Sequence, residues 1–196
     1  MTADPAAQGA LTVVAHPVAD PESQMLLRRY YTEIVSRYHG RPTDDDEVSA
    51  VLAEEPSDDL ARPTGEFVVA RIDGRPVGCA GIRLTAPNTT ELTRVYVAPE
   101  ARRQGVAVAL VAAAEEMARE VYGARLMRLD TRSDLVEARA LYARLGYREV
   151  PAFNSGPYAH HWFAKPLGGL QSWPAAGQCP PCAATPTGQR GDSTFP

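Results

Sequence analysis

The stretch Val95-Tyr-Val-Ala-Pro-Glu-Ala-Arg-Arg-Gln-Gly-Val-Ala107 constrains this chain more than any other. An alternating β-branched run stops at Pro99, whose missing N–H cannot continue a ladder, and Gly105 then opens a long helical pattern. Strand, tight turn and helix N-terminus in immediate succession leave the first-turn N–H groups without partners, which is a recipe for gripping phosphate. Gly105 lets a pyrophosphate approach the backbone with no Cβ in the way. Ala107 keeps the next turn thin, and Arg102 and Arg103 bring positive charge to the same edge. The ligand this implies carries a diphosphate, although the stretch matches neither the P-loop nor the dinucleotide fingerprint.

The segments around it alternate in period. A strand is expected near Leu11–Ala15, a helix over Pro21–Tyr38 and a short helix over Asp44–Ala53. Asp73-Gly74 between Glu66–Ile72 and Pro76–Leu84 is a hairpin signal, and Glu91–Val97 makes a further strand after the loop Thr85–Thr90. From Gln104 to Val121 the residues Val106, Leu110, Ala113 and Met117 trace one helical face. Arg125–Thr131 reads as a strand, Leu135, Ala138, Tyr142 and Leu145 as one face of a helix ending at Gly146, and His160–Lys165 as a last strand. Antiparallel strands followed by strand–helix alternation predict an α+β, mixed α/β sheet with helices on both faces. The acidic run Asp44, Asp45, Asp46 and Glu47 suits a helix N-terminus, the alternative being a rim that attracts a cationic substrate.

Charge and cysteine content narrow the function classes. With 20 Lys and Arg against 24 Asp and Glu, the 196-residue chain carries a formal net charge of −4. That balance offers no electrostatic reason to bind nucleic acid or an anionic membrane. Neither a leader-like start nor a long apolar span is apparent, so a cytoplasmic protein is expected. The three cysteines cannot frame a disulfide scaffold, and Cys179 and Cys182 lack the second Cys/His pair of a zinc site, so no metal is expected. Residues 168–196, rich in Gly, Pro, Ser and Thr, read as a disordered tail on a single domain spanning 1–167.

Arg102-x-x-Gly105-x-Ala107, directly after Val95-x-Val97-x-Pro99, resembles the acetyl-CoA-binding motif of the GCN5-related N-acetyltransferase (GNAT) superfamily. Ala138-Arg-Ala-Leu-Tyr-Ala-Arg-Leu-Gly-Tyr147 is similar to that family's second signature, and the element order agrees from about residue 10 to 167. The resemblance implies a mostly antiparallel sheet splayed at the acetyl-CoA site, with the backbone of Val95 and Val97 pairing with the pantetheine arm. It gives the pyrophosphate to Arg102 and to the amides of Arg103, Gln104, Gly105, Val106 and Ala107, with Ala138 as the small residue opposite. It also makes Tyr142 the acid that protonates the departing thiolate, where periodicity alone reads a core aromatic. In a related subset, Glu91 would be the general base; a strand-end carboxylate facing solvent is the other reading. Simple alternation sets Glu91, Thr93, Val95 and Val97 on one face. One departure is Leu135, where many members carry an Asn.

By the same resemblance, a free amine attacks the thioester in a ternary complex, with the Val97 N–H polarising the carbonyl. Tyr30, Tyr31, Tyr158 and His160 are the candidate acceptor contacts, each equally readable as an ordinary helix, loop or strand-edge residue. The expected acceptor is a small-molecule amine, an amino acid or an antibiotic such as an aminoglycoside among them. The alternatives are acetylation of a protein or peptide, and an acyl-CoA-binding sensor with weak catalysis. Either a monomer or a homodimer suits such a fold.

Overall fold

The computed structural model describes residues 10–168. The expected tail therefore lies, but for Gly168, outside the described residues, as do Cys179 and Cys182. Seven strands, β1 (Leu11–Ala15), β2 (Gly65–Ile72), β3 (Arg75–Ala86), β4 (Thr89–Val97), β5 (Leu126–Thr131), β6 (Arg148–Glu149) and β7 (His161–Pro166), form one sheet. Their order is β1-β2-β3-β4-β5-β7-β6, and every pairing is antiparallel except that of β4 with β5. The β2–β3 hairpin turns through Asp73 and Gly74, both at positive φ, as the Asp-Gly pair requires. The loop expected over Thr85–Thr90 is shorter, because threonines 85, 89 and 90 suit a pleated backbone and extend both strands to a tight turn at Asn88 (φ 59°). Two-residue β6 is too short for any sequence pattern to announce.

Four helices cover the two faces: α1 (Pro21–His39) and α2 (Asp45–Glu54) on one side, α3 (Val106–Tyr122) and α4 (Val136–Arg144) on the other. Asp20 caps α1 by accepting the Glu22 N–H at 2.9 Å. The acidic run does the same work for α2: Asp44 accepts the Glu47 N–H while the Glu47 carboxylate accepts the Asp44 N–H, a complete capping box.

Strand alternation divides the core. Val68, Ala70, Ala80 and Ile82 face α3, whereas Phe67, Val69 and Cys79 face α1 with Leu26 and Leu27. The buried stripe of α3 is Val106, Leu110, Ala114 and Ala118; the expected Ala113 and Met117 are only half-buried. Alanines bring that helix close to the sheet, and Gly78 completes the approach, since a Cβ there would lie 2.6 Å from the Tyr96 carbonyl oxygen and 3.1 Å from Leu110. This packing fixes the N-terminus of α3 at the end of β4.

Candidate active site

Strands β4 and β5 pair over only three residues each, Thr89–Glu91 against Leu126–Arg128. Beyond Glu91 the strand β4 keeps β3, the strand β5 keeps β7, and the two diverge into a wedge. The β5-facing edge of β4 from Leu92 onward thus lacks a strand partner, the condition under which an extended ligand can add itself to a sheet.

A bulge accompanies the divergence. Gly81 pairs with Thr93 and Cys79 with Tyr96, so the single residue Ala80 faces both Arg94 and Val95. Arg94 takes the left-handed conformation, φ 51°, and the side-chain alternation changes phase there. Before the bulge Leu92 faces the α3 core; after it, Val95 and Val97 do. Glu91 points to the opposite face, toward Arg83 and Asp59. The expectation that Glu91, Val95 and Val97 share one face is therefore corrected by one extra residue in the strand.

Arg94 holds this geometry. Its side chain is buried, its Nε donates to the Tyr31 hydroxyl at 3.0 Å, and its Nη2 donates to the carbonyls of Glu55 and Pro56 at 3.3 and 3.2 Å. Those carbonyls end α2, where a cation meets both free acceptors and the negative end of the helix dipole. Tyr31 in turn donates to Glu55 at 3.1 Å, and burial pushes its phenol up to about 12. Tyr31, an expected acceptor contact, is thus 3 % exposed and locked into the framework.

At the other end of β4 the stretch expected to bind phosphate is open. Residues 102–105 are exposed, and Arg103 and Gly105 have φ of 62° and 83°. No side chain caps α3 at Gly105, and a Cβ there would meet nothing within 4 Å. First-turn amides and an open glycine suit a pyrophosphate. The Val106 side chain is fully buried, so what it can offer a ligand is its backbone; Ala107 is half-buried. Gln104 donates to the Glu100 carbonyl at 2.9 Å. Arg102 is engaged elsewhere: its Nε donates to the Val97 carbonyl at 3.0 Å and its Nη2 pairs with Glu33 of α1. Across the wedge Ala138 is half-buried beside the turn at Leu135, whose carbonyl accepts its N–H at 3.1 Å. Arg37 of α1 straps that turn, pairing with Glu137 and donating to the Asp134 carbonyl at 2.8 Å.

Tyr142 sits in the α3-side core, 7 % exposed, with ring centroids 5.8 Å from Tyr147 and 6.2 Å from Phe163. Burial pushes its phenol up, and the charge of Asp130 pushes it further. Burial likewise raises Tyr30, to which Tyr31 and, more weakly, Tyr142 contribute. Tyr30 of α1, Tyr142 of α4 and Asp130 of β5 are thus linked electrostatically.

Three carboxylates stand on the α1 face. Glu91, 5 % exposed, pairs with Arg83 through one oxygen and accepts from Arg128 Nε at 3.3 Å through the other; Asp59 accepts from Arg83 at 3.2 Å. Asp130, two residues beyond Arg128 on the same side of β5, accepts from Asn154 at 2.8 Å. Its carboxyl lies above the usual range because burial penalises its charge, with Glu91 adding and Asn154 and the two arginines opposing. Asn154 also accepts from Trp162 at 2.8 Å, and the Arg128 guanidinium lies 4.2 Å from the Phe153 ring centroid, so the 150–160 loop roofs this face. Tyr158 meets Tyr38 edge-on at the rim, and the His160 Nδ1 accepts the Ser133 N–H at 3.2 Å. Asp130, Arg83, Arg94 and Arg128 were not singled out in the sequence; the polar positions of Arg128 and Asp130 alternating with buried Met127 and Leu129 were the available signal.

Residues 26–147 match the Acetyltransferase (GNAT) family. The chain belongs to that family. An aminoglycoside N(6')-acetyltransferase type 1 from Klebsiella aerogenes is 40% identical over 75 residues, 35% of this chain and 49% of the relative. The match thus spans about half the length of that curated relative. Among solved structures, the PaiA N-acetyltransferase of Thermoplasma acidophilum, in complex with coenzyme A, superposes with a TM-score of 0.62 at 16% identity. It covers 80% of this chain and 99% of that one. A GNAT-family acetyltransferase from Staphylococcus aureus gives 0.61 at 15% identity, covering 81% and 100%. At such identities the superpositions speak for the GNAT fold, in agreement with the two motifs. Among the described residues, no helix is long and apolar enough to cross a membrane, and no group of three or more His, Cys, Asp or Glu could hold a metal ion.

Proposed function

We propose that this GNAT protein transfers the acetyl group of acetyl-CoA to the primary amine of a small molecule by direct attack in a ternary complex. One observation carries the reading: the edge of β4 that β5 leaves unpaired runs from Glu91 to the uncapped N-terminus of α3. A thioester supplies an activated acyl carbon; the chain's own groups supply alignment and proton handling. The amides of residues 103–107 take the pyrophosphate, and the backbone of Val95 and Val97 takes the pantetheine as an added strand, the Val97 N–H facing the carbonyl oxygen. Ala138 leaves room for the arm to pass α4. Arg102 reaches the phosphates by exchanging its Glu33 partner for them.

The amine enters as an ammonium and must lose a proton before it attacks, because its nitrogen needs a lone pair. We assign its proton to Asp130: both oxygens of Glu91 already accept guanidinium N–H groups, whereas Asp130 has an oxygen to spare and burial raises its carboxyl, which strengthens the carboxylate as a proton acceptor. Glu91 then acts by holding Arg128 and Arg83. As the N–C bond forms and the C–S bond breaks, the thiolate takes a proton from Tyr142, whose phenol burial keeps protonated at neutral pH, and the proton that the nitrogen sheds on becoming an amide restores the phenol by way of solvent. Tyr30, Tyr158 and His160 border the acceptor space; the aminoglycoside acetyltransferase relative makes aminoglycosides members of the panel to be tried. The protein is proposed to work in the cytoplasm, as a monomer or homodimer.

The test is thiol release from acetyl-CoA across amines, amino acids, polyamines, aminoglycosides and basic peptides, with thermal shift by acetyl-CoA in parallel. Turnover of a small amine is expected. Turnover confined to peptides would replace the reading with peptide acetylation, and a shift with no turnover would leave an acyl-CoA sensor.

A further inference from the structure

The charges on the α1 face of the wedge are almost all committed. Arg83 spans Asp59 and Glu91, and Arg128 closes the chain from the other side of Glu91, so two cations and two anions cancel along the floor. Of the acidic run, Asp44 caps α2 and Glu47 is held by Arg41 and by Thr43 at 2.7 Å, while Asp45 and Asp46 are exposed on the first turn of α2 and take no part in the ion-pair chain of the floor. Among the described residues Asp130 has no ion pair; Asn154 occupies one of its oxygens, and the other has no partner. Asp59 keeps one buried oxygen without a partner, but its charge is matched by Arg83, so an amine entering this space meets one carboxylate without an ion pair, with guanidinium groups on the floor beside it.

From this charge pattern we infer that the acceptor is a small amine with a single positive charge, seated against Asp130, and that polycations are disfavoured. This rests on the proposed acetyl transfer to small amines and specifies their class. A second ammonium on the same molecule finds no free carboxylate on the floor and is repelled by Arg128 and Arg83. The match to an aminoglycoside acetyltransferase, over half of that protein, does not carry the acceptor charge with it. The aromatic Phe153, roofing Arg128, suits an apolar body behind the ammonium.

The experiment compares hexylamine, 1,6-diaminohexane and kanamycin as acceptors for the full chain with acetyl-CoA. The expected kcat/KM for hexylamine exceeds that for either polycation at least 10-fold. Asp130→Asn, which keeps an oxygen for Asn154, lowers kcat/KM for hexylamine at least 100-fold with the acetyl-CoA Kd unchanged. Arg128→Gln narrows the ratio between monoamine and diamine, a change that loss of structure alone would not produce. Equal or better turnover of the diamine or kanamycin, or full activity of Asp130→Asn, overturns the inference while acetyl transfer to small amines stands. Acetyl-CoA binding without turnover of any small amine overturns both.

Discussion

The two sides of the wedge are made of different materials. On the cofactor side the useful groups are backbone: an unpaired strand edge, an uncapped helix N-terminus and a glycine at φ 83°. On the acceptor side they are side chains drawn from distant segments, with Arg83, Glu91 and Arg128 in one ion-pair chain and Asp130 beside it. A backbone site needs only a local fold and tolerates many sequences, so a ligand common to a family can be held there. A side-chain site is rewritten by single substitutions, which is why the proposed acceptor choice is assigned to that side. The bulge at Arg94 separates the two, turning β4 so that Val95 and Val97 face one core and Glu91 the other.

Substitutions should respect this division. Tyr142→Phe is expected to lower kcat by about 100-fold or more while leaving the acetyl-CoA Kd unchanged, because the phenol is needed only as the thiolate leaves. Calorimetry beside steady-state kinetics separates the two; equal kcat would remove the acid role. Arg94→Met strips a buried cation from two carbonyls and the Tyr31 hydroxyl, and should cost about 2–3 kcal/mol of stability in urea melts. Because Arg94 joins the sides, both KM values should rise, whereas a rise in one alone would break the proposed coupling. Gly105→Ala adds a Cβ that meets no neighbour, so its cost is the left-handed backbone, about 1–2 kcal/mol. Acetyl-CoA affinity should fall at least 10-fold and the acceptor KM should not change. Asp44→Ala removes the α2 cap and should cost about 1 kcal/mol with kcat/KM intact, since that acidic run serves the helix.

The same division explains what could be read in the sequence. The strand stop at Pro99, Gly105 and the α3 stripe lie within a short span, and periodicity with turn chemistry found them along with most elements of the fold. The phase change at Arg94 carried no local signal: a positive φ at an arginine is supported here by contacts to Tyr31, Glu55 and Pro56, far away in the chain. For the same reason Tyr31 is expected as an acceptor contact and is a buried brace, and Asp130 is not singled out at all. The buried face of α3 runs through Val111, Ala114 and Ala118 instead of Ala113 and Met117, because apolar residues on both flanks of Leu110 left the sequence pattern free to be centred on either.

The central claim is that the unpaired edge of β4 and the first turn of α3 receive the co-substrate, and amide hydrogen exchange with and without acetyl-CoA tests it most directly. Slowed exchange at residues 95–97 and 103–107, with Thr89–Glu91 unchanged because β5 already pairs them, is the predicted result. Protection elsewhere, with the 95–107 segment exchanging as before, would contradict it.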